Sequence, residues 1–310
     1  MLSFFSVFAP PLAAALSFIL TPVSIRLCRL VGAMDTPDGK RKINTLPIPR
    51  LGGLAFFASF FIFAFPFSTK DPFSAAILSG GSVLVAGGFL DDVFNLSPSL
   101  KILTQSAAAA VALAFVGAPS SFSLFGLFSL PLGASFGFVI AIFKMLFTTN
   151  AVNFADGLDG LAAGLSVSSL FSLFVFGIVN GSVYPAFSAV ILAAAVLGFL
   201  PYNRYRAKTF MGDSGSQFLG FAIAILSLGC AKESAYSLET TLFLIIPAAD
   251  TAFSVVRRIA NGKSPFSADK GHLHHTLLKK GISHPAAVRL LVLTNAAVAS
   301  VTLLFYYFSR

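Results

Sequence analysis

The chain has 310 residues, of which 56% are hydrophobic and only 11% charged. Soluble domains carry about 25% charged residues, so the composition excludes an ordinary soluble enzyme and predicts an all-α, polytopic membrane protein. A net charge of +9 would fit nucleic acid, but the basic residues lie beside apolar spans, which argues against such a partner. With no Trp, the 36 Phe and 6 Tyr supply the bulky apolar surface and the interfacial anchors.

A helix needs about 20 apolar residues to cross a bilayer. Runs near 3–27, 52–67, 75–90, 102–118, 134–149, 161–179, 183–200, 215–231, 239–259 and 286–307 therefore predict about ten transmembrane helices in a single membrane domain. The first run lacks a basic leader and a small-residue cleavage motif, so it is expected to remain as a helix. Cys28 and Cys230 lie in or beside these runs and read as buried free thiols.

The connections alternate in character. One set holds residues 35–51, 91–101, 149–160, 201–214 and 260–285, and with its helix ends it takes every Lys and Arg except Lys70, Lys232 and Arg310. The positive-inside rule assigns this set to the cytoplasm and both termini to the outside. The acidic residues follow it, apart from Asp71, Glu233 and Glu239. A transporter would spread charged groups toward the bilayer midplane and its repeated halves. Polar chemistry gathered at one face, without an internal repeat, favours an enzyme with a cytoplasmic site.

Five stretches of this face carry the chemistry. In PRLGG, Arg50 stands at the mouth of the second span, where with Lys40, Arg41 and Lys42 it would steer a phosphate or serve orientation alone. Asp91 and Asp92 follow a glycine-rich span end and precede Lys101 by about ten residues. They read as a solvated helix end, or as a carboxylate that handles a proton beside a phosphate-binding lysine. The stretch NAVNFADGLDGLAAG spaces Asn150, Asn153, Asp156 and Asp159 by three, which on a helix stacks them along one face. Gly157, Gly160 and Gly164 would leave room there for a phosphate or a neighbouring backbone.

Asn203 precedes MGDSG, in which Asp213 reads as a helix cap or as a ligand for a hard divalent cation, while Ser214 and Ser216 are candidate caps. The loop SPFSADKGHLHHTLLKKG gathers His272, His274 and His275 with Lys270, Lys279 and Lys280, a set suited to a nucleotide diphosphate or, as a basic juxtamembrane loop, to anionic lipid alone; its spacing is not that of a zinc site. Asp250 shares a helical face with Arg257, as an ion pair or in a catalytic role.

PIPRLGG, DDVFNLSPSLK, NAVNFADGLDGLAAG, FMGDSG and SPFSADKGHLHH, in that order, resemble the polyprenyl-phosphate N-acetylhexosamine-1-phosphate transferases of glycosyltransferase family 4, the group of WecA, TagO and, more distantly, MraY. The resemblance implies an MraY-like fold. It also implies Mg²⁺-dependent transfer of a sugar 1-phosphate, most simply GlcNAc-1-phosphate, from a UDP-N-acetylhexosamine to undecaprenyl phosphate in the plasma membrane, with release of UMP. Mn²⁺ as a substitute and a homodimer come with it as expectations. By resemblance, Asp91 and Asp92 would activate the lipid phosphate near Lys101. Asp213 and Asn153 would hold Mg²⁺, and Asp156, Asp159 and Asn203 would line the nucleotide-sugar site. His272, His274 and His275 would engage the diphosphate or sugar. Asn44 departs from the pattern, standing where many relatives have histidine; it cannot protonate, so that histidine's role is not carried over. A secondary transporter or flippase of an anionic lipid or sugar phosphate is the competing expectation.

Overall fold

The computed structural model describes residues 2–36, 46–231, 235–262 and 271–309. Lys40, Arg41, Lys42, Asn44, Lys232, Lys270 and Arg310 lie outside the described residues.

Each predicted apolar run coincides with helix, because a backbone in lipid has no water to satisfy its polar groups. In order these are α1 (Leu2–Val31), α2 (Gly53–Ser68), α3 (Pro72–Phe94), α4 (Pro98–Val116), α5 (Ala134–Ala155), α6 (Leu161–Val179), α7 (Val183–Asn203) and α8 (Gly212–Gly229). The rest of the described chain adds α9 (Glu239–Leu242), α10 (Ile245–Ala260), α11 (Leu273–Lys279) and α12 (His284–Phe308). Seven of these, α1, α3–α7 and α12, are long and apolar enough to cross a membrane. The protein is a polytopic, mainly helical membrane protein.

The ninth run, expected as one helix, is broken between α9 and α10. Pro247 explains the break, since its ring would clash with the carbonyl four residues back, that of Phe243. The freed carbonyl is satisfied from neighbouring helices: Asn295 Nδ2 donates to it at 2.9 Å and Ser169 Oγ at 2.6 Å. The connections are not wholly irregular either. β1 (Met34–Asp35) pairs antiparallel with β2 (Ile48–Pro49), while β3 (Ser121–Leu124) pairs with β4 (Phe128–Pro131) and, in parallel, with β5 (Tyr236–Ser237).

The bundle is built around α8, whose residues from Ser214 to Gly229 are all buried. α3 and α5 pack along it, α2, α6 and α7 complete its surround, and α1 lies against α7 and α2. Phe56, Phe57, Phe199 and Phe218 interlock between α2, α7 and α8 at centroid separations of 4.9–6.5 Å. Cys28 and Cys230 are buried free thiols, as expected. Lys144 departs from the charge pattern: it sits well inside α5, 5% exposed, with Nζ 3.0 Å from Thr240 Oγ1 and 4.4 Å from the Tyr236 ring centre.

Close approach at the start of α8 depends on missing side chains. A Cβ on Gly88 would lie 2.5 Å from both Cα and N of Ser214, and that backbone cannot swing aside. Gly88→Ala is expected to cost about 1–3 kcal/mol, the usual penalty of overpacking. The check is a lower melting temperature in detergent; an unchanged melt would show that α8 can slide.

Candidate active site

The ends of α3 and α4 form the first half of the site. Asn95 takes a left-handed conformation (φ 53°) that ends α3, and Pro98 starts α4 after the Ser97 cap. The hairpin so formed brings Lys101 back against Asp91, its Nζ 2.6 Å from Asp91 Oδ2. Asp91 Oδ1 accepts from the Leu96 N–H at 2.7 Å, which fixes the carboxylate. Asp92, about 100° further round the helix, faces α8. Its two oxygens accept from the backbone N–H groups of Asp213 (2.9 Å) and Ser214 (3.1 Å).

This last pair corrects an expectation. Ser214 and Ser216 were candidate caps for α8, but two of the orphan N–H groups of its first turn, those of Asp213 and Ser214, are taken by a carboxylate from α3. Ser216 Oγ instead donates to Gly212 O and accepts from Asn153 Nδ2 at 2.8 Å. Asp213 is the second residue of α8, and its side chain is free for other partners. Its Oδ2 lies 2.8 Å from Lys101 Nζ and accepts from Gln217 Nε2 at 3.0 Å, while Oδ1 accepts from Asn153 Nδ2 at 3.2 Å. One ammonium is thus shared by Asp91 and Asp213.

The four-residue stack of the glycine-rich stretch does not form. α5 ends at Ala155, Asp156 occupies its C-terminal cap, and Gly160 (φ 78°) turns the chain into α6. Asn150 and Asn153 keep the helical face; Asp159 swings away and accepts from the Ala207 N–H at 3.0 Å, pinning the loop before α8. Asp156 remains with the cluster. Partial burial, then the negative fields of Asp213, Asp92 and Asp159, hold its carboxyl well above the usual carboxylate range. The glycines make room for side chains, since a Cβ on Gly157 would strike His274 and one on Gly164 would strike Val292 of α12.

His272, His274 and His275 pack on this turn. The His272 ring lies 5.8 Å from Phe154 and parallel to His274 at 5.7 Å, and His275 meets His274 at 4.3 Å. Burial, then the neighbouring His275 and His272, push His274 down to about 4. The unfolded chain, near 6.5, therefore takes up this proton first. The stability held by neutral His274 is complete above about pH 6.5 and is lost as pH falls toward about 4. Wild-type melting temperature should fall across that window, and His274→Asn should flatten the fall. Parallel curves for the two proteins would refute the assignment.

Arg50 binds protein as placed: Nε and Nη2 donate to Asp92 O at 3.0 and 2.7 Å, and Nη2 also to Asn95 Oδ1 at 3.0 Å. It ties the start of α2 to the end of α3. Asn203 is 1% exposed; its Nδ2 donates to Thr209 O at 3.1 Å, and its Oδ1 is buried without a partner. Asp250 is engaged by His272, and Arg257 Nη2 donates to Ser254 Oγ.

Sequence reasoning passed over two residues. Gln105 and Gln217, 3% and 2% exposed, join Asn150 to Asp213 through side-chain amides at 2.8–3.4 Å. A glutamine inside an apolar run was the signal for each, because such groups are costly in a membrane without a partner.

Asp91, Asp92 and Asp213 therefore converge in one hydrogen-bonded centre with Lys101 and Asn153. The donors are hard oxygens in an under-compensated negative field, which suits Mg²⁺ completed by phosphate and water. Among the described residues, no three His, Cys, Asp or Glu groups are set to hold a metal by themselves.

The glycosyl transferase family 4 model matches residues 74–231, which span Asp91, Lys101, Asn153 and Asp213. The chain is also 37% identical to the probable undecaprenyl-phosphate N-acetylglucosaminyl 1-phosphate transferase of Bacillus subtilis, over 89% of this chain and 78% of the relative. The chain belongs to glycosyl transferase family 4. Among family members it is 35% identical to the decaprenyl-phosphate N-acetylglucosaminephosphotransferase of Mycolicibacterium smegmatis, over 93% and 79% of the two chains. It is 31% identical to the undecaprenyl-phosphate alpha-N-acetylglucosaminyl 1-phosphate transferase of Escherichia coli K12, over 91% and 79%.

Proposed function

We propose that this family 4 protein transfers GlcNAc-1-phosphate from UDP-GlcNAc to a polyprenyl phosphate, undecaprenyl phosphate being the expected acceptor, and releases UMP. The observation that carries the proposal is the Lys101 ammonium between Asp91 and Asp213, 2.6 and 2.8 Å away. A reaction between two phosphates is opposed chiefly by like charge, so catalysis is mostly positioning and neutralisation. The relatives' names, which specify GlcNAc-1-phosphate transfer to undecaprenyl or decaprenyl phosphate, support the choice of substrates.

Lys101 would hold the lipid phosphate beside Asp91. Asp213 and Asn153 would hold Mg²⁺, which when bound would screen the charge of the UDP-sugar diphosphate. His272, His274 and His275 would engage that diphosphate from the α5 turn. An acceptor phosphate oxygen then attacks the β-phosphorus, the bond to the bridging oxygen breaks, and UMP leaves with that oxygen. This direct route is preferred to a covalent aspartyl-phosphate. Both Asp92 oxygens are spent on the α8 backbone, and Asp91 is clasped by Lys101 and Leu96. Asp92 acts by positioning Asp213. The distribution of Lys and Arg supports a cytoplasmic site with both termini outside.

The test is turnover in detergent with undecaprenyl phosphate, UDP-GlcNAc and Mg²⁺, following UMP. Release that requires both lipid and metal is the expected result. No release with any UDP-N-acetylhexosamine, from protein that melts cooperatively, would move the assignment to a transporter.

A further inference from the structure

Asp250 has no part in the assignments above, yet it is 8% exposed and both its oxygens are used. Oδ2 lies 2.9 Å from His272 Nδ1, and Oδ1 accepts from the Leu273 backbone N–H at 2.8 Å. The partners are adjacent residues at the start of α11, while Asp250 lies on α10, the helix that Pro247 frees from α9. Ser254, one turn further along α10, places Oγ 3.3 Å from the same His272 nitrogen and is itself held by Arg257. A carboxylate against one imidazole nitrogen keeps the proton there and leaves the other nitrogen as the working atom. The His272 ring rests on Phe154, next in the chain to Asn153, and the Arg258 guanidinium lies 5.7 Å from the same Phe154 ring.

We propose that Asp250 is a positioning residue that fixes His272 with its proton on Nδ1 and sets the ring against the end of α5, so that Nε2 is the atom offered to the diphosphate of the nucleotide sugar. The ligand class rests on the proposed function; the Asp250–His272 pair does not. Asparagine is the informative replacement. His272 and Leu273 use different carboxylate oxygens, and asparagine puts an NH₂ donor in one of those two places, so an amide that keeps the Leu273 N–H on its oxygen turns a donor toward His272 Nδ1.

The experiment uses full-length protein with ¹⁵N-labelled histidine, its ring nitrogens read by NMR, with His272→Gln to assign the signals. Wild type is expected to carry the His272 proton on Nδ1 and Asp250→Asn to lose that state. The second reading is UDP-GlcNAc titration, where Asp250→Asn should weaken binding about 10–100-fold, the usual effect of losing such a supporting contact. In turnover, KM for UDP-GlcNAc should rise while KM for undecaprenyl phosphate holds. Asp250→Asn added to His272→Gln should cost nothing more, because the two act as one unit. A wild-type proton on Nε2 would overturn the pair. Equal losses toward both substrates, or additive losses in the double variant, would reduce Asp250 to a structural cap. Absence of turnover in wild type, with the NMR result as expected, would instead sink the proposed function and leave the pair standing.

Discussion

Asp213→Ala is expected to lower lipid-dependent UMP release by about 10³-fold, the upper range for loss of one electrostatic contact to a developing charge. Three groups converge on this carboxylate: Lys101 and Gln217 at Oδ2 and Asn153 at Oδ1. Without it, Lys101 retains Asp91 alone, Asn153 retains Ser216, and the proposed metal site loses its charged ligand. The fold should survive. The contact that seats α8 is the backbone N–H of residue 213 on Asp92, and alanine keeps that N–H. Turnover and thermal melting therefore separate the two effects: activity should collapse while the melt moves little. Activity within tenfold of wild type would remove Asp213 from the chemistry.

Lys101→Met is expected to reduce kcat/KM by about 10²-fold, acting mainly on the lipid phosphate. It leaves the carboxylates of Asp91 and Asp213, both within 2.8 Å of the lost ammonium, facing one another without a cation between them. Such a pair should draw a divalent cation more strongly, so the Mg²⁺ concentration giving half of the remaining activity should fall as the maximum falls. Kinetics with Mg²⁺ and undecaprenyl phosphate varied separately measure both changes. A loss confined to KM for UDP-GlcNAc would place Lys101 at the donor instead.

What the sequence made legible follows the range of the interactions. Asp91 and Lys101 were readable as neighbours of one phosphate because only ten residues separate them, while their direct contact depends on the hairpin that Asn95, Ser97 and Pro98 form. The helical runs were readable because lipid imposes a strong composition on them. The role of Asp92 was not, since its partners stand 121 and 122 residues away and use backbone atoms that any sequence would supply. The glycines of the α5–α6 turn were readable as space but not as space for His274 and Val292. The break before α10 was readable in principle from Pro247, but an apolar run of that length hides a single proline. Lys144 was assigned to a helix end because α5 was expected to stop at 149; its extension to Ala155 carries Lys144 inward.

The buried course of α8 bears on how the protein is made. α8 is outside the seven helices apolar enough to cross on composition alone, since its first turns are Gly, Asp, Ser and Gln. It therefore has little drive to leave the translocon for bare lipid. The helices that surround it, α2, α3, α5, α6 and α7, are all synthesised earlier. They are therefore available to line a slot when α8 emerges, and its insertion is expected to depend on packing against them more than on partitioning. Damage to that slot, even far from the carboxylates, would show first as loss of protein from the membrane.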